Sequence, residues 1–162
     1  DIIGNVIPYI AGEEEKFQQE LQKLLGGVIE GRLAPADLVL SSHANRVSVL
    51  DGHTVSVSVG FEKPVAPEQA HEILSHYQPP EICKALPSSP AQVICVRTEP
   101  DRPQPRRDRD AESGMAISVG RIRPCPLLDL RMTTVTHNTL RGAASGAVLN
   151  AELLVASGYV EA

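Results

Sequence analysis

Residues 53–59 alternate strictly in polarity, and this alternation is the strongest constraint on the fold. His53, Val55, Val57 and Val59 share one parity, whereas Thr54, Ser56 and Ser58 take the other. A period of two residues places successive side chains on opposite faces of a β-strand. The chain therefore contains a sheet with an apolar face, and a titratable imidazole stands at the head of that face.

The dipeptide Asp51-Gly52 is typical of a two-residue hairpin turn. We therefore predict strands at 37–50 and 53–61 that pair across it. In a tight hairpin Arg46 and His53 share a face, with Cα atoms about 13 Å apart at roughly 3.3 Å per residue. A guanidinium matches a carboxylate or phosphate, and an imidazole moves protons near neutral pH. The pair predicts an anionic substrate that undergoes proton transfer; a half-buried histidine and a surface arginine are the alternative.

The order of the other elements indicates an α+β fold with a mixed or antiparallel sheet. The Pro-rich charged stretch 100–110 is expected to be a solvated loop. The remaining predicted elements are a helix between Gly12 and Gly26, a loop at 28–36, a helix from Pro67, strands at 93–96, 115–123 and 128–137, and a helix at about 139–157 that ends at Gly158.

Composition narrows the classes of partner. The net charge of −5 and the scarcity of aromatic residues argue against a nucleic-acid partner. No apolar run approaches the roughly 18 residues of a membrane helix, so no membrane partner is expected. The three cysteines lack metal-ligand spacing and are odd in number. We therefore expect no metal site, free thiols and a cytoplasmic location.

The segment GEEEKFQQELQK carries charged pairs at helical spacing. Glu13 and Lys16, and likewise Glu20 and Lys23, lie three residues apart, and Lys16 and Glu20 lie four apart. These charged pairs make the helix a second candidate functional site. A solvent-facing charged surface is the alternative.

A third group of polar residues stands at a predicted junction between a strand and a helix. His137 and Asn138 precede the last helix, which is capped by Asn138 or Thr139. A helix N-terminus offers free N–H groups to anions or amides. Ordinary capping is the alternative.

Five segments in this order resemble the aspartate-semialdehyde dehydrogenase family, in particular its archaeal and fungal type. They are NVIPYIAGEEEK, NRVSVLDGHT, DRPQPRRDRD, GMAISVGRIRPCP and HNTLRGAASGAVLNAELL, which span residues 5 to about 158. The resemblance implies a two-domain, NADP-dependent enzyme, dimeric or tetrameric, that reductively dephosphorylates aspartyl phosphate in lysine, threonine and methionine biosynthesis. It also implies a sheet with helices on one face, as in the C-terminal domain of semialdehyde and glyceraldehyde-phosphate dehydrogenases.

The resemblance assigns roles to individual residues. Arg46 would clamp the substrate α-carboxylate, and His53 would be the general acid/base. Lys16 would hold the phosphate, with Glu13 beside it as a substrate contact and Glu14 as the alternative in the same acidic run. The sheet face that carries His53 would form the floor of the active site, where partial desolvation tunes an imidazole.

The resemblance also concerns the cofactor. Asn138 would lie near the nicotinamide end of NADP, and the small-residue helix after it would pack against the dinucleotide domain. The glycine-rich loop of that domain is not in the sequence. NADP binding is therefore expected only together with the missing domain, and no cofactor is expected for this chain alone.

The family nucleophile, a cysteine in an Asn-Cys-Ser/Thr setting, has no counterpart at Cys83, Cys95 or Cys125. Ser48 also stands where the family usually has proline. Residues 1–162 are thus expected to form one partial catalytic and dimerisation domain. Hydride transfer by this chain alone should be negligible.

Two functional hypotheses follow. In the first, the chain is the C-terminal part of a working dehydrogenase, which its start at Asp1 in mid-domain favours. In the second, it is a naturally truncated homologue: a dimeric scaffold, or an enzyme that uses Arg46, His53 and Lys16 for acid/base chemistry on another anionic or carbonyl compound. Both predict a homodimer or homotetramer, and an enzymatic role predicts a small anionic substrate.

Overall fold

The computed structural model describes residues 2–160. The chain forms two compact units, one reaching to Val49 and the other beginning at Leu50. Within the described residues no helix is long and apolar enough to cross a membrane.

The first unit contains helix α1 (Glu13–Leu24) and a two-stranded hairpin of β1 (Gly27–Ile29) and β2 (Arg32–Ala34). The predicted helix is confirmed, with three acidic residues in its positively polarised first turn. The predicted loop at 28–36 is wrong, because Glu30 and Gly31 adopt positive φ angles of 51° and 74° and form the hairpin turn.

The predicted strand at 37–50 is also wrong. Its one ladder contact is a bridge in which the backbone N–H of Arg46 donates to the Ile7 carbonyl at 2.9 Å. Earlier in this extended segment, the side-chain amides of α1 hold the backbone: Gln18 donates to the Leu40 carbonyl at 2.8 Å. Side-chain donors thus satisfy carbonyls that a sheet partner would otherwise bind.

The second unit is built on a four-stranded sheet. Its strands are β3 (His53–Val59), β4 (Ile94–Arg97), β5 (Ile117–Pro124) and β6 (Leu130–Thr136), in the order β3-β6-β5-β4. β4 and β5 are parallel and the other pairs antiparallel, so the α+β fold with a mixed sheet is confirmed. All four strands were predicted. The hairpin across Asp51-Gly52 is wrong, because β3 pairs with β6 instead of a preceding strand.

Helices flank this sheet. The predicted helix from Pro67 is α2 (Pro67–Ser75), which packs against β4 and β5. Three short helices among the described residues were not predicted: α3 (Glu81–Lys84), α4 (Pro105–Asp108) inside the expected solvated loop, and a 3₁₀-helix at Ala111–Gly114. The last helix, α5 (Ala144–Ala156), begins later than predicted and ends as predicted at Gly158, whose φ is 72°.

The buried core is small and lies in the second unit. Leu130 and Val135 of β6 are fully buried, together with Val119 of β5 and Ala116 before it. Within residues 2–49 no residue is buried. Several apolar residues of α1 and α5 remain exposed in this chain, Leu24 at 74% and Val148 at 51% among them.

Candidate functional site

His53 is the first residue of the edge strand β3 and pairs with Thr136, the last residue of β6. Val57 and Val59 of the same parity are half-buried, whereas His53 is exposed in this chain. The alternation of β3 is thus confirmed in its second half. The partial desolvation expected around His53 is not present in this chain, in which the residue is exposed.

Asn138 lies beside the start of β3. Since β3 and β6 are antiparallel neighbours, the residues after β6 adjoin those before β3. The backbone N–H of Gly52 donates to Asn138 Oδ1 at 2.8 Å. The fold therefore brings together His53 and Asn138, two site residues predicted from distant parts of the sequence. Asn138 does not cap α5, since its side-chain oxygen serves Gly52.

The N-cap position of α5 is Ala143, without a side-chain cap bond, so neither Asn138 nor Thr139 caps it. The residue that orders the turn before the helix is His137, which is buried. Its Nδ1 accepts the backbone N–H of Thr139 at 3.3 Å, and its carbonyl accepts the N–H of Gly142 at 3.0 Å. These bonds close the turn between β6 and α5. His137 Nε2 lies 3.8 Å from a carboxylate oxygen of Asp110. His137 therefore has a structural role in this turn, whereas the capping of α5 by Asn138 or Thr139 that the sequence offered as the alternative is wrong.

The loop that precedes strand β5 contributes residues to this region that the sequence did not indicate. Arg109 Nη1 donates to the carbonyl of Asp51 at 3.2 Å. A Cβ built on Gly52 would lie 3.0 Å from Pro105 Cβ and 3.4 Å from Arg109 Cβ. Gly52 has a φ of 112°, a conformation open to glycine. Helix α4 and Arg109 thus close against the two residues that precede His53.

A buried carboxylate anchors this loop. Asp108 is fully buried and accepts from Arg102 Nε at 2.7 Å and from the backbone N–H of Gln104 at 2.6 Å. Arg97 of β4 forms a second ion pair with it at 2.8 Å. Burial by itself raises the pKa of Asp108, but the hydrogen bonds from Arg102 and Gln104 and the charges of both arginines outweigh it and lower the pKa. The expectation that 100–110 is a solvated loop is therefore wrong at its centre.

The first unit carries the predicted anion-binding side chains. Lys16 Nζ lies 3.5 Å from the carboxylate of Glu13, and both side chains are about half exposed. Arg46 is exposed as well. Glu14 is occupied elsewhere: its Oε1 accepts the backbone N–H of Ala44 at 2.8 Å. Of the two acidic alternatives, Glu13 is the one whose carboxylate stands beside Lys16.

The three cysteines are free and differ in their surroundings. Cys95 is buried in β4, and burial raises the pKa of its thiol. Backbone N–H groups of Leu127 and Leu128 lower the pKa of Cys125, assisted by the Ser58 hydroxyl and Arg131. These thiols therefore have different thiolate populations at neutral pH.

The described residues 2–160 contain no group of three or more His, Cys, Asp or Glu side chains that could hold a metal ion. For a nicotinamide cofactor, the group with suitable chemistry is the Asn138 amide. The amide oxygen already accepts a hydrogen bond from the Gly52 N–H. The amide nitrogen can donate a hydrogen bond to a carboxamide oxygen. The Asn138 amide nitrogen is therefore chemically compatible with a carboxamide group.

Comparison with known proteins places this geometry in context. Residues 1–141 match the family described as "Semialdehyde dehydrogenase, dimerisation domain". The aspartate-semialdehyde dehydrogenase of Archaeoglobus fulgidus is 47% identical over 95% of this chain and 44% of its own length. That of Saccharomyces cerevisiae is 44% identical over 99% of this chain and 46% of its own length.

Solved structures agree with these sequence matches. The crystal structure of aspartate semialdehyde dehydrogenase with NADP from Candida albicans superposes with a TM-score of 0.90 at 41% identity, covering 99% of this chain and 47% of that one. Aspartate semialdehyde dehydrogenase II from Vibrio cholerae superposes with a TM-score of 0.74 at 26% identity, covering 93% of this chain and 41% of that one. The chain spans about half the length of the curated relatives it matches.

Proposed function

Because the chain belongs to the aspartate-semialdehyde dehydrogenase family through its dimerisation domain, we propose that it supplies the C-terminal catalytic and dimerisation portion of such an enzyme. The complete enzyme would use NADP to dephosphorylate aspartyl phosphate reductively to aspartate semialdehyde. The observation that carries the proposal is the hydrogen bond between Gly52 and Asn138. This bond holds Gly52, which precedes the proposed acid/base residue His53, against Asn138, the proposed cofactor contact.

His53 is the proposed general acid/base. Its imidazole is exposed at the end of an edge strand, where a substrate can reach it. An imidazole exchanges protons near neutral pH, as needed to deprotonate a thiol and to protonate a departing group. The attacking thiol would come from outside this chain, since Cys95 is buried and neither Cys83 nor Cys125 has the family's setting.

Arg46, Lys16 and Glu13 are the proposed substrate contacts. The guanidinium of Arg46 is exposed and can pair with an α-carboxylate through two parallel hydrogen bonds. Lys16 offers a compact positive charge for phosphate, and its ion pair with Glu13 at 3.5 Å orients the ammonium. An exposed pair of this kind exchanges partners readily, which suits a site that must release product.

Asn138 is the proposed contact to the nicotinamide end of NADP. The bound cofactor would supply or accept the hydride, while the Asn138 amide nitrogen would donate to it. The dinucleotide phosphates would be held by residues outside this chain. This chain alone is therefore expected to transfer no hydride.

The proposed partners are further copies of the complete enzyme, as a homodimer or homotetramer, in the cytoplasm. The family description names a dimerisation domain. Apolar side chains left exposed here, such as Leu24 at 74% and Leu154 at 46%, need cover from another surface. The three free thiols fit a reducing compartment.

The proposal is tested first by the intact mass of the natural polypeptide, measured by mass spectrometry after purification from its source. A mass about double the 17.4 kDa of this chain is expected. The purified polypeptide should then oxidise aspartate semialdehyde with NADP and phosphate, and a His53→Asn variant should lose at least about a hundredfold in kcat. A natural mass near that of this chain, or a fully active His53→Asn variant, would refute the proposal.

A further inference from the structure

We propose that Arg109 is a positioning residue for His53, acting through the backbone of Asp51 and Gly52. The inference rests on the proposed role of His53 as general acid/base. It concerns a side chain that does not itself reach the imidazole. Arg109 fixes the two residues from which the start of β3 departs.

The first link is direct. Arg109 Nη1 donates to the Asp51 carbonyl at 3.2 Å, and Arg109 Cβ lies 3.4 Å from where a Cβ on Gly52 would stand. One side chain thus contacts both residues before His53, by its charged end and by its stem. The side chain is 23% exposed, so the hydrogen bond is largely shielded from water.

The second link is the confinement of Gly52. Its N–H is held by Asn138, and its side-chain position is closed by Pro105 and Arg109. Its φ of 112° sets the direction in which the chain enters β3. The N–H of Gly52 is hydrogen-bonded, its Cα is packed, and the carbonyl of Asp51 before it is hydrogen-bonded. The direction in which the backbone enters β3 at His53 is therefore fixed.

The third link is the anchor of Arg109 itself. The preceding residue, Asp108, is fully buried between Arg97 and Arg102. The backbone of Arg109 is tied as well, since its N–H donates to the Pro105 carbonyl at 3.2 Å. A carboxylate paired with two guanidiniums cannot shift without exposing unpaired charge. Arg109 therefore projects from a fixed base towards Asp51, which a flexible surface arginine could not do.

The consequence for function is geometric. An acid/base group must stay within hydrogen-bond distance of the proton it moves, and a misplacement of about 1 Å can cost a hundredfold in rate. The proposed substrate contacts Arg46 and Lys16 belong to the other unit of the chain. Losing Arg109 should therefore lower kcat while KM stays nearly constant.

The test compares Arg109→Met with Arg107→Met in the complete natural polypeptide. Both changes remove a guanidinium and keep an unbranched stem. Arg107 is the matched control, because it is 57% exposed and its ion pair at 3.7 Å is with Asp101 rather than with Asp51 or Gly52. Histidines labelled with 13C at Cε1 report on the imidazole by NMR, and His53→Asn assigns the resonance. Thermal unfolding confirms that each variant is folded.

Arg109→Met should move or broaden the His53 resonance and lower kcat at least about tenfold with KM within about twofold. Arg107→Met should do neither, and Arg109→Lys, which keeps one donor, should fall between. A His53 resonance and kcat unchanged in Arg109→Met would overturn the proposal. If Arg109→Met does not fold, Arg109→Lys decides by the same readouts. If His53→Asn keeps full activity, the proposed function is refuted. The His53 resonance in Arg109→Met then tests by itself whether Arg109 positions the imidazole.

Discussion

Asn138 and Gly52 lie 86 residues apart in the sequence and are joined by a 2.8 Å hydrogen bond from the backbone of one to the side chain of the other. The bond ties the end of β6 to the start of the edge strand β3. It uses the acceptor of the Asn138 amide and leaves the donor for a ligand. One side chain can therefore serve both the fold and the site.

Replacing Asn138 with alanine should lower the free energy of unfolding by about 1 kcal/mol, because the N–H of Gly52 loses its partner in a partly buried position. Chemical denaturation of the complete polypeptide measures this loss. Asn150→Ala is the control, since Asn150 is exposed on α5 and alanine favours the helix there. Equal stability of Asn138→Ala and the wild type would contradict the prediction.

Asp108→Asn should destabilise the protein by about 3 kcal/mol at neutral pH, since it leaves two arginines facing a neutral amide. The pH dependence follows from the lowered pKa of Asp108. A carboxyl whose pKa is lower in the folded state stabilises the fold above its unfolded pKa of about 3.9. That contribution is lost as the pH falls through the lower, folded pKa.

Denaturation curves recorded at several pH values would therefore converge for the wild type and Asp108→Asn towards acid pH. Asp101→Asn is the matched control. Asp101 is 63% exposed and forms an ion pair with Arg107 at 3.7 Å, so its loss should cost less than about 1 kcal/mol. If the difference in unfolding free energy between the wild type and Asp108→Asn does not change with pH, the carboxylate charge is not what stabilises the loop.

Cys125 should be alkylated faster than Cys95 at neutral pH. Backbone N–H groups lower the pKa of the Cys125 thiol, while burial raises that of Cys95. The thiolate is the reacting form, so the rate at Cys125 should fall as the pH is lowered. Mass spectrometry of peptides after timed iodoacetamide treatment gives both rates. Ser58→Ala should slow the alkylation of Cys125. Faster alkylation of Cys95 than of Cys125 would contradict the prediction.

We expect Glu13 to be a ligand contact and Glu14 to be a structural residue. Glu13→Gln should raise the KM for phosphate several-fold with little change in thermal stability, because Glu13 pairs with Lys16. Glu14→Ala should lower stability by about 1 kcal/mol, because Glu14 accepts the Ala44 N–H. Steady-state kinetics and thermal unfolding of the two variants measure both effects. The reverse pattern would assign the ligand contact to Glu14.

The sheet of the second unit could be predicted because its signals are local. The alternation of β3 and the β-branched residues of β5 and β6 depend on neighbouring residues alone. The partner of β3 could not be predicted. The Asp51-Gly52 signal describes a turn, whereas its actual conformation is set by Arg109 and Asn138, which come from distant segments.

The candidate site shows the same limit. The resemblance pointed to His53 and Asn138, and the structure brings them together through Gly52. It assigned no role to Asp108 or Arg109, although both lie in the matching segment DRPQPRRDRD. Alternating charges after prolines look the same in a solvated loop and in a buried network. Only the pairing of Asp108 with Arg97 and Arg102 distinguishes the two. The prolines at 103 and 105, which stiffen that stretch, were the available signal.

The first unit, in which residues 2–49 bury no side chain, has a consequence for native-state hydrogen exchange. A segment that buries little apolar surface opens with a low free energy, so its amides exchange before those of the β5–β6 core. Docking surfaces from the rest of the assembly would suppress that opening. The protection of α1 amides then becomes a direct gauge of how completely the proposed enzyme is assembled around Lys16 and Arg46.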